Sequence, residues 1–311
     1  MSDPSTEPAE AAFSFLGDGL RLAILRALAE REARAGPRED AMAYSDLRRA
    51  VGERDSGKFS YHLGKLTGRF VEKTPEGYRL REPGRETVRL LERGVVDGDA
   101  DLDAAPVAAR CPLCDARVRV TYGDHHLFAC CSECAGLFGA DECPEGTVTG
   151  IVLPPAVVED LDPTPLFERA HRVFERRLRP MFEGVCLECG GEVDGRLRRC
   201  PDHDPGPSGI CPECETASPL LAELVCETCG RGRVSHPLFG NPGADDVDAT
   251  GDGTWTGPAV AGDAGGTAAA WDRFGSFLAW TPTAREDGAV AFDPPSGDGQ
   301  VVVSPDLRVI E

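Results

Sequence analysis

Five Cys-x-x-Cys pairs and one Cys-x-x-His crowd into residues 111–229: Cys111/Cys114, Cys131/Cys134, Cys186/Cys189, Cys200/His203, Cys211/Cys214 and Cys226/Cys229. Each such turn aims two soft donors at one point, and two turns complete a tetrahedral metal site. Sixteen residues separate Cys114 from Cys131, and the segment between them carries two alternating apolar runs around Gly123-Asp124, the layout of a ribbon whose hairpin brings two knuckles together. In the second cysteine region, matching positions recur 25 residues apart (186 to 211) or 26 apart (200 to 226). That period predicts two successive sites, the first from Cys186, Cys189, Cys200 and His203 and the second from Cys211, Cys214, Cys226 and Cys229, with Val193–Arg196 as a hairpin turn; interleaved and nested pairings stay open. Cys130 and Cys143 are left over, and His125 and His126 are alternative donors to the first site. Twelve donors of this softness favour zinc, about three ions, over disulfides, thiol redox chemistry or iron; sites filled by protein ligands are structural.

The elements around these knuckles follow from periodicity. Gly146–Leu153 reads as a strand. A helix from Pro163 has Leu166, Phe167, Ala170, Val173, Phe174, Leu178 and Phe182 on a broad apolar face, with Arg169, Arg172, Arg176, Arg177 and Arg179 on the solvated remainder. Val95–Arg110, with alternating aspartates and Pro106, reads as a linker. Gly240–Gly266 is rich in Gly, Asp and Ala and is expected to be flexible. From Thr267 a short helix bearing Trp271, Phe274, Phe277, Leu278 and Trp280 leads to strands at 289–292, 300–303 and 307–310. Its aromatic cluster is expected to pack a core, with an effector pocket as the lesser reading.

A second constellation lies in residues 1–110, which hold no cysteine and only His62. The chain has 33 Lys and Arg against 53 Asp and Glu, a net charge of -20, and should repel a polyanion. Yet residues 54–81 contain seven basic and three acidic side chains, a balance of +4, and all three lysines of the protein, Lys58, Lys65 and Lys73. A short helix after Ser45, taken as its N-cap, ends at Gly52. The next starts at Asp55-Ser56 with Phe59, Leu63, Leu66 and Phe70 on one face. Val71–Lys73, a turn at Thr74–Gly77 and Tyr78–Leu80 form a hairpin. Two helices and a hairpin match the winged helix-turn-helix, which reads DNA grooves. Lys58, Ser60, Tyr61, His62, Lys65, Arg69, Lys73 and Arg79 are the expected DNA-contacting residues.

Residues 11–93 resemble ArsR-like winged-helix regulators, especially archaeal ones, through "FSFLGDGLRLAILRALAE" and "SGKFSYHLGKL". The resemblance implies a DNA-binding transcription regulator acting as a homodimer, with the helix at Gly84–Arg93 packing on the first helix and pairing subunits. The scarcity of Lys beside abundant Asp, Glu and Arg resembles proteins of halophilic archaea, which work in molar salt. No apolar run is long enough to span a membrane and residues 1–10 are acidic and expected to be disordered, so a soluble, cytoplasmic protein is expected. No P-loop, nucleophile elbow, HExxH or dinucleotide turn occurs, and His171 and His236 lack an evident catalytic partner; an enzyme is not expected.

The expected fold class is therefore α+β: a winged helix-turn-helix at 11–93, a linker at 94–110, a zinc ribbon at 111–145, a strand and amphipathic helix at 146–185, tandem zinc sites at 186–235, a flexible segment at 240–266, and a small α+β segment at 267–311. The C-terminal region would dimerise, sense an effector or hold a protein partner. The rival functions are a zinc-ribbon adaptor of the transcription or RNA machinery and a redox sensor using Cys130 or Cys143.

Overall fold

The computed structural model describes residues 16–35, 41–96, 98–244, 268–295, 297 and 299–310. The expectation of disorder at 1–10 and most of the flexible segment expected at 240–266 lie outside these residues; its first part is ordered instead, with a 3-10 turn at Pro242–Ala244 and Asn241 and Ala244 buried. The chain is a mixed α+β structure that divides into two compact units, Met1–Asp99 and Ala100–Glu311.

In the first unit, α1 (Gly19–Ala35) opens at Asp18, whose Oδ1 accepts the Leu20 and Arg21 N–H groups at 3.0 and 3.1 Å. Helix α2 (Tyr44–Ala50) begins one residue before Ser45; Ala43 is at the N-cap without a side-chain bond, which corrects the capping role expected of Ser45. Helix α3 (Ser56–Leu66) is capped by Asp55, which accepts from Gly57 and Lys58. Strands β1 (Val71–Thr74) and β2 (Gly77–Leu80) pair antiparallel, Val71 with Leu80 and Thr74 with Gly77. A Cβ at Gly77, where φ is +147°, would come within 2.3 Å of the Met42 carbonyl oxygen, so glycine lets β2 bond to Met42 and seat the hairpin. Helix α4 (Glu82–Glu92) is tied to α1 by Arg85–Glu32 at 2.8 Å and Arg26–Glu92 at 2.9 Å. Ile24, Leu25, Leu28, Leu47, Phe59, Leu63, Leu66, Phe70 and Leu80 form the shared core.

The second unit is built on two antiparallel sheets whose strand ends carry the cysteine knuckles. The first has the order β3 (Leu102–Arg110), β4 (Arg117–Gly123), β5 (His126–Cys131), β6 (Thr147–Val152). Most of the expected linker is thus an edge strand. Pro106, which lacks an N–H, is tolerated there because a register shift follows it and one side of the strand is unpaired. After the short α5 (Pro155–Glu159), α6 (Pro163–Phe182) buries Leu166, Phe167, Ala170, His171, Phe174, Leu178 and Met181 and packs on β3, β5 and β6, while Arg169, Arg172, Arg176 and Arg179 stay exposed.

The other sheet is β7 (Val193–Arg199), β8 (Leu220–Cys226), β9 (Gly232–Ser235). Val193–Arg196, expected to turn, is extended: the whole of β7 pairs with β8, from Val193 with Cys226 to Arg199 with Leu220. Residues 200–219 are therefore an excursion at the tip of this hairpin. That excursion docks on the first sheet's loop, where the Gly139 N–H donates to the Glu215 carbonyl at 2.9 Å and the Ala217 N–H to the Leu137 carbonyl at 3.0 Å. Helix α7 (Ala268–Leu278) leads to a third sheet, β10 (Thr281–Ala284), β11 (Val290–Asp293), β12 (Val301–Val303). The segment expected as a strand at 307–310 makes only a single bridge, Val303 with Val309, and Thr281–Ala284 supplies the third strand instead. One continuous core joins these elements, with Phe167, Trp271 and Phe274 at their junction. Among the described residues no helix is long and apolar enough to cross a membrane.

Candidate metal centres and cationic helix face

The twelve predicted donors converge into three tetrads: Cys111, Cys114, Cys131 and Cys134; Cys186, Cys189, Cys226 and Cys229; and Cys200, His203, Cys211 and Cys214. Within each, the donor atoms all lie within 4.8 Å of one another. The third tetrad sits inside the second, which replaces the successive grouping predicted from the 25-to-26-residue period. Strand register is the reason. Pairing Val193 with Cys226 sets Cys186 and Cys189, just before β7, beside Cys226 and Cys229 at the end of β8, and it leaves the donors of the excursion to find each other. The first sheet has the same plan, with Cys111 and Cys114 before β4 and Cys131 pairing with Val118 at the end of β5.

Sulfur separations fit an ion at the centre. Cys111–Cys134 is 3.7 Å, Cys114–Cys131 3.4 Å, Cys186–Cys229 3.8 Å and Cys189–Cys226 3.5 Å. A tetrahedron with bonds of about 2.3 Å has edges of about 3.8 Å, whereas a disulfide would need about 2.05 Å. His203 Nδ1 is 3.4 Å from Cys214 Sγ. Four knuckles share one backbone pattern: the residue after the second cysteine donates to the first cysteine's carbonyl at 2.8 to 3.0 Å, from a left-handed conformation at Asp115, Gly190, Glu215 or Gly230. Backbone N–H groups at Glu133 and Cys134 point at Cys131 Sγ from 3.3 and 3.4 Å.

These surroundings split the thiols of each tetrad. Burial raises the Cys131 pKa, but the Cys134 and Glu133 N–H groups outweigh it and bring the thiol down to about 7. At Cys226 the Cys229 N–H leads a descent to about 7, and at Cys211 amides from Asp204, Cys214 and Glu213 overcome burial to reach about 6. Their neighbours move the other way: burial and the crowding thiols of Cys214 and Cys211 push Cys200 up to about 11. Three or four sulfurs this close cannot all ionise without a cation between them, so metal binding must expel protons. With four protein donors apiece, the residues fit zinc held structurally, with no open position for a reacting water.

Cys130 and Cys143 join no tetrad. Burial pushes both thiols up, and Cys130 Sγ is 3.6 Å from Thr147 Oγ1. His126 Nδ1 sits 2.7 Å from the Asp124 carbonyl, and neither it nor His125 enters a tetrad. His171 is buried between Thr149 Oγ1 at 3.0 Å and the Phe167 carbonyl at 2.9 Å; burial lowers its pKa to about 4.

On α3 the buried positions are Phe59, His62, Leu63 and Leu66, and the exposed ones are Ser56, Gly57, Lys58, Ser60, Tyr61, Gly64 and Lys65. His62 is thus corrected from groove-facing to core-facing. It stands three residues after Phe59 and one before Leu63, on the stripe that turns inward, with Nδ1 3.2 Å from Asp18 Oδ1. Tyr61 is 61% exposed, with Lys65 Nζ 5.6 Å from its ring centre. Ser60 Oγ lies 2.7 Å from the Tyr44 hydroxyl. Lys58 is paired with Glu53 at 3.0 Å, and Arg79 with Glu72 at 3.0 Å; Arg69 and Lys73 lie over Phe70 and Tyr78 and stay exposed. Exposed pairs such as these add little stability and exchange readily for another anion.

Two family models match the chain, each described as a domain of unknown function: DUF7347 over residues 8–91 and DUF7351 over residues 108–240. The first falls within the N-terminal unit; the second takes in all three tetrads within the C-terminal one. No curated protein and no solved structure matches.

Proposed function

We propose that this protein is a DNA-binding transcription regulator whose first unit is an ArsR-like winged helix-turn-helix, and whose second unit is held together by three structural zinc ions. In this reading α3 enters the major groove, with Lys58, Ser60, Tyr61 and Lys65 toward base edges and phosphates, while β1 and β2 form a wing carrying Lys73 and Arg79. Arg69 meets the backbone between them. One observation carries it. A chain of net charge -20 keeps all its lysines at exposed positions of α3 and β1, together with an exposed tyrosine and two exposed glycines of α3 that would let a partner's backbone come close. Such a distribution opposes the protein's overall repulsion at the place where phosphates would sit. Leu90, at 41% exposure on α4, and Val96, at 66% just beyond it, support a homodimer that covers them, and the same reading places the protein in the cytoplasm.

Titration of labelled duplex DNA at several salt concentrations tests the reading. Replacing Lys58, Lys65, Arg69 and Lys73 by glutamine should weaken binding and flatten the slope of log K against log salt by about 0.9 for each phosphate no longer neutralised. Metal content and helicity should stay unchanged. Unaltered DNA affinity in the fourfold variant would overturn the assignment, and mapping of bound genomic DNA in the native salt would identify the operator.

A further inference from the structure

A cavity of about 850 Å³ opens in the second unit between the edge strands of its two metal-bearing sheets. Strand β6 contributes residues 147 and 149–152 to one side, β9 contributes residues 232–235 to the other, and α6 and α7 supply Phe174 and Phe274. The size lies within the range of small-molecule sites. Most of its wall is apolar, with Phe128, Leu220, Leu221 and Leu278 among the lining residues.

Among the polar groups in this lining, four lie together on α6 and β9 or next to it. Arg177 and Arg233 are half-buried at the cavity, and neither forms an ion pair with a carboxylate among the described residues; Arg233 donates only to the Gly232 carbonyl at 2.8 Å. What sets these two apart from the unpaired arginines of the exposed surface is that they are partly withdrawn from solvent at the wall of one cavity. Burial first, and then the charges of Arg231 and Arg177, lower the Arg233 pKa, and the charges of Glu188 and Cys186 offset this only in part. Ser235 is 3% exposed and its hydroxyl has no hydrogen-bond partner among the described residues, an arrangement that carries a desolvation cost unless something in the cavity bonds to it. Next to it, burial lowers the His236 pKa to about 3, and Nδ1 accepts the Leu238 N–H at 3.3 Å, which places the ring proton on Nε2 as a further donor. Three exposed carboxylates, Asp101, Asp124 and Glu142, also border the space and are screened by solvent.

We infer that this cavity is a binding site for an amphipathic anion, an apolar body with one carboxylate-like head, whose head is taken by Arg177 and Arg233 with the Ser235 hydroxyl as a third donor. Guanidinium groups bind carboxylates through paired, charge-assisted hydrogen bonds, and the apolar wall takes the remainder. The inference rests on the second unit alone and stands or falls separately from DNA binding by the first.

Calorimetry on the full-length, metal-loaded chain tests it with three probes of equal length: decanoate, decan-1-ol and decylammonium. Decanoate should bind saturably at one site per chain and more tightly than the other two. The double variant R177Q/R233Q should lose about tenfold or more of decanoate affinity while decanol binding is retained, and S235A should lose severalfold. Metal stoichiometry and circular dichroism verify that the variants are folded. Absence of saturable decanoate binding, decylammonium binding as tightly as decanoate, or undiminished decanoate affinity in folded R177Q/R233Q would each overturn the assignment.

Discussion

Changing Cys186 to serine removes a thiolate from the tetrad that contains Cys226 and leaves the ion held by His203 in place. Under the successive grouping the opposite holds, since Cys186 would then share its ion with His203. The separations decide between them: Cys186 Sγ is 3.8 Å from Cys229 Sγ and Cys189 Sγ is 3.5 Å from Cys226 Sγ, each close to the edge of about 3.8 Å of a zinc–sulfur tetrahedron. Native mass spectrometry should therefore count three ions in the parent chain and two in C186S, and still two in C186S/C226S, because the second serine falls on a site already emptied. C186S/C211S should hold one. Cadmium-113 NMR supplies the identity of what remains: the resonance of the three-sulfur, one-nitrogen site should survive C186S and vanish in C214S. One ion in C186S/C226S, or disappearance of the nitrogen-containing site in C186S, would refute the nesting and with it the β7–β8 register from which it follows.

Two other outcomes can be checked without DNA or ligand. The folded pKa of His171 is lowered to about 4 while the unfolded ring titrates near 6.5, so the neutral buried ring stabilises the fold above about pH 6.5, and that stability is lost as pH falls toward 4. Side-chain nitrogen shifts between pH 8 and pH 5 should show His171 neutral throughout; a midpoint near 6.5 would contradict its burial. Gly64 lies in mid-helix on the exposed face of α3, and an added Cβ meets nothing within 4 Å. Gly64→Ala should raise the stability of the first unit by about 1 kcal/mol, about 4–8 °C in thermal melting, and a neutral or destabilising result would mean that this face is not free.

How far the sequence could be read depends on whether the deciding interactions are local. All twelve tetrad donors were legible, because two donors three residues apart must share a knuckle whatever the fold. Their partition was not: it depends on which strands pair, and the 25-to-26-residue recurrence is a likeness between knuckles, not between whole sites. The true likeness runs from the first ribbon to the second, and it is disguised by residues 200–219 at the tip of the β7–β8 hairpin. Helix α3 was legible from its Asp55 cap and apolar spacing, yet His62 was assigned by its chemistry, not by its place on the buried stripe. Strand β3 was hidden by composition, since aspartate, alanine and proline disfavour strands and only an edge position tolerates them. The cavity could not be anticipated at all, because Arg177 and Arg233 come from separate elements and meet only in three dimensions.

Nesting also gives the chain an order of assembly. Cys186 to Cys229 spans roughly three times the length of Cys200 to Cys214, and closing the longer loop costs about 1 kcal/mol more by logarithmic scaling. The short inner clasp gathers first and draws its flanks into step, so that by the time the outer donors approach, most of the intervening chain has already been gathered. By chain closure alone, scarce metal should fill this nested pair from the inside outward, leaving a partly loaded species with a finished tip and an open base.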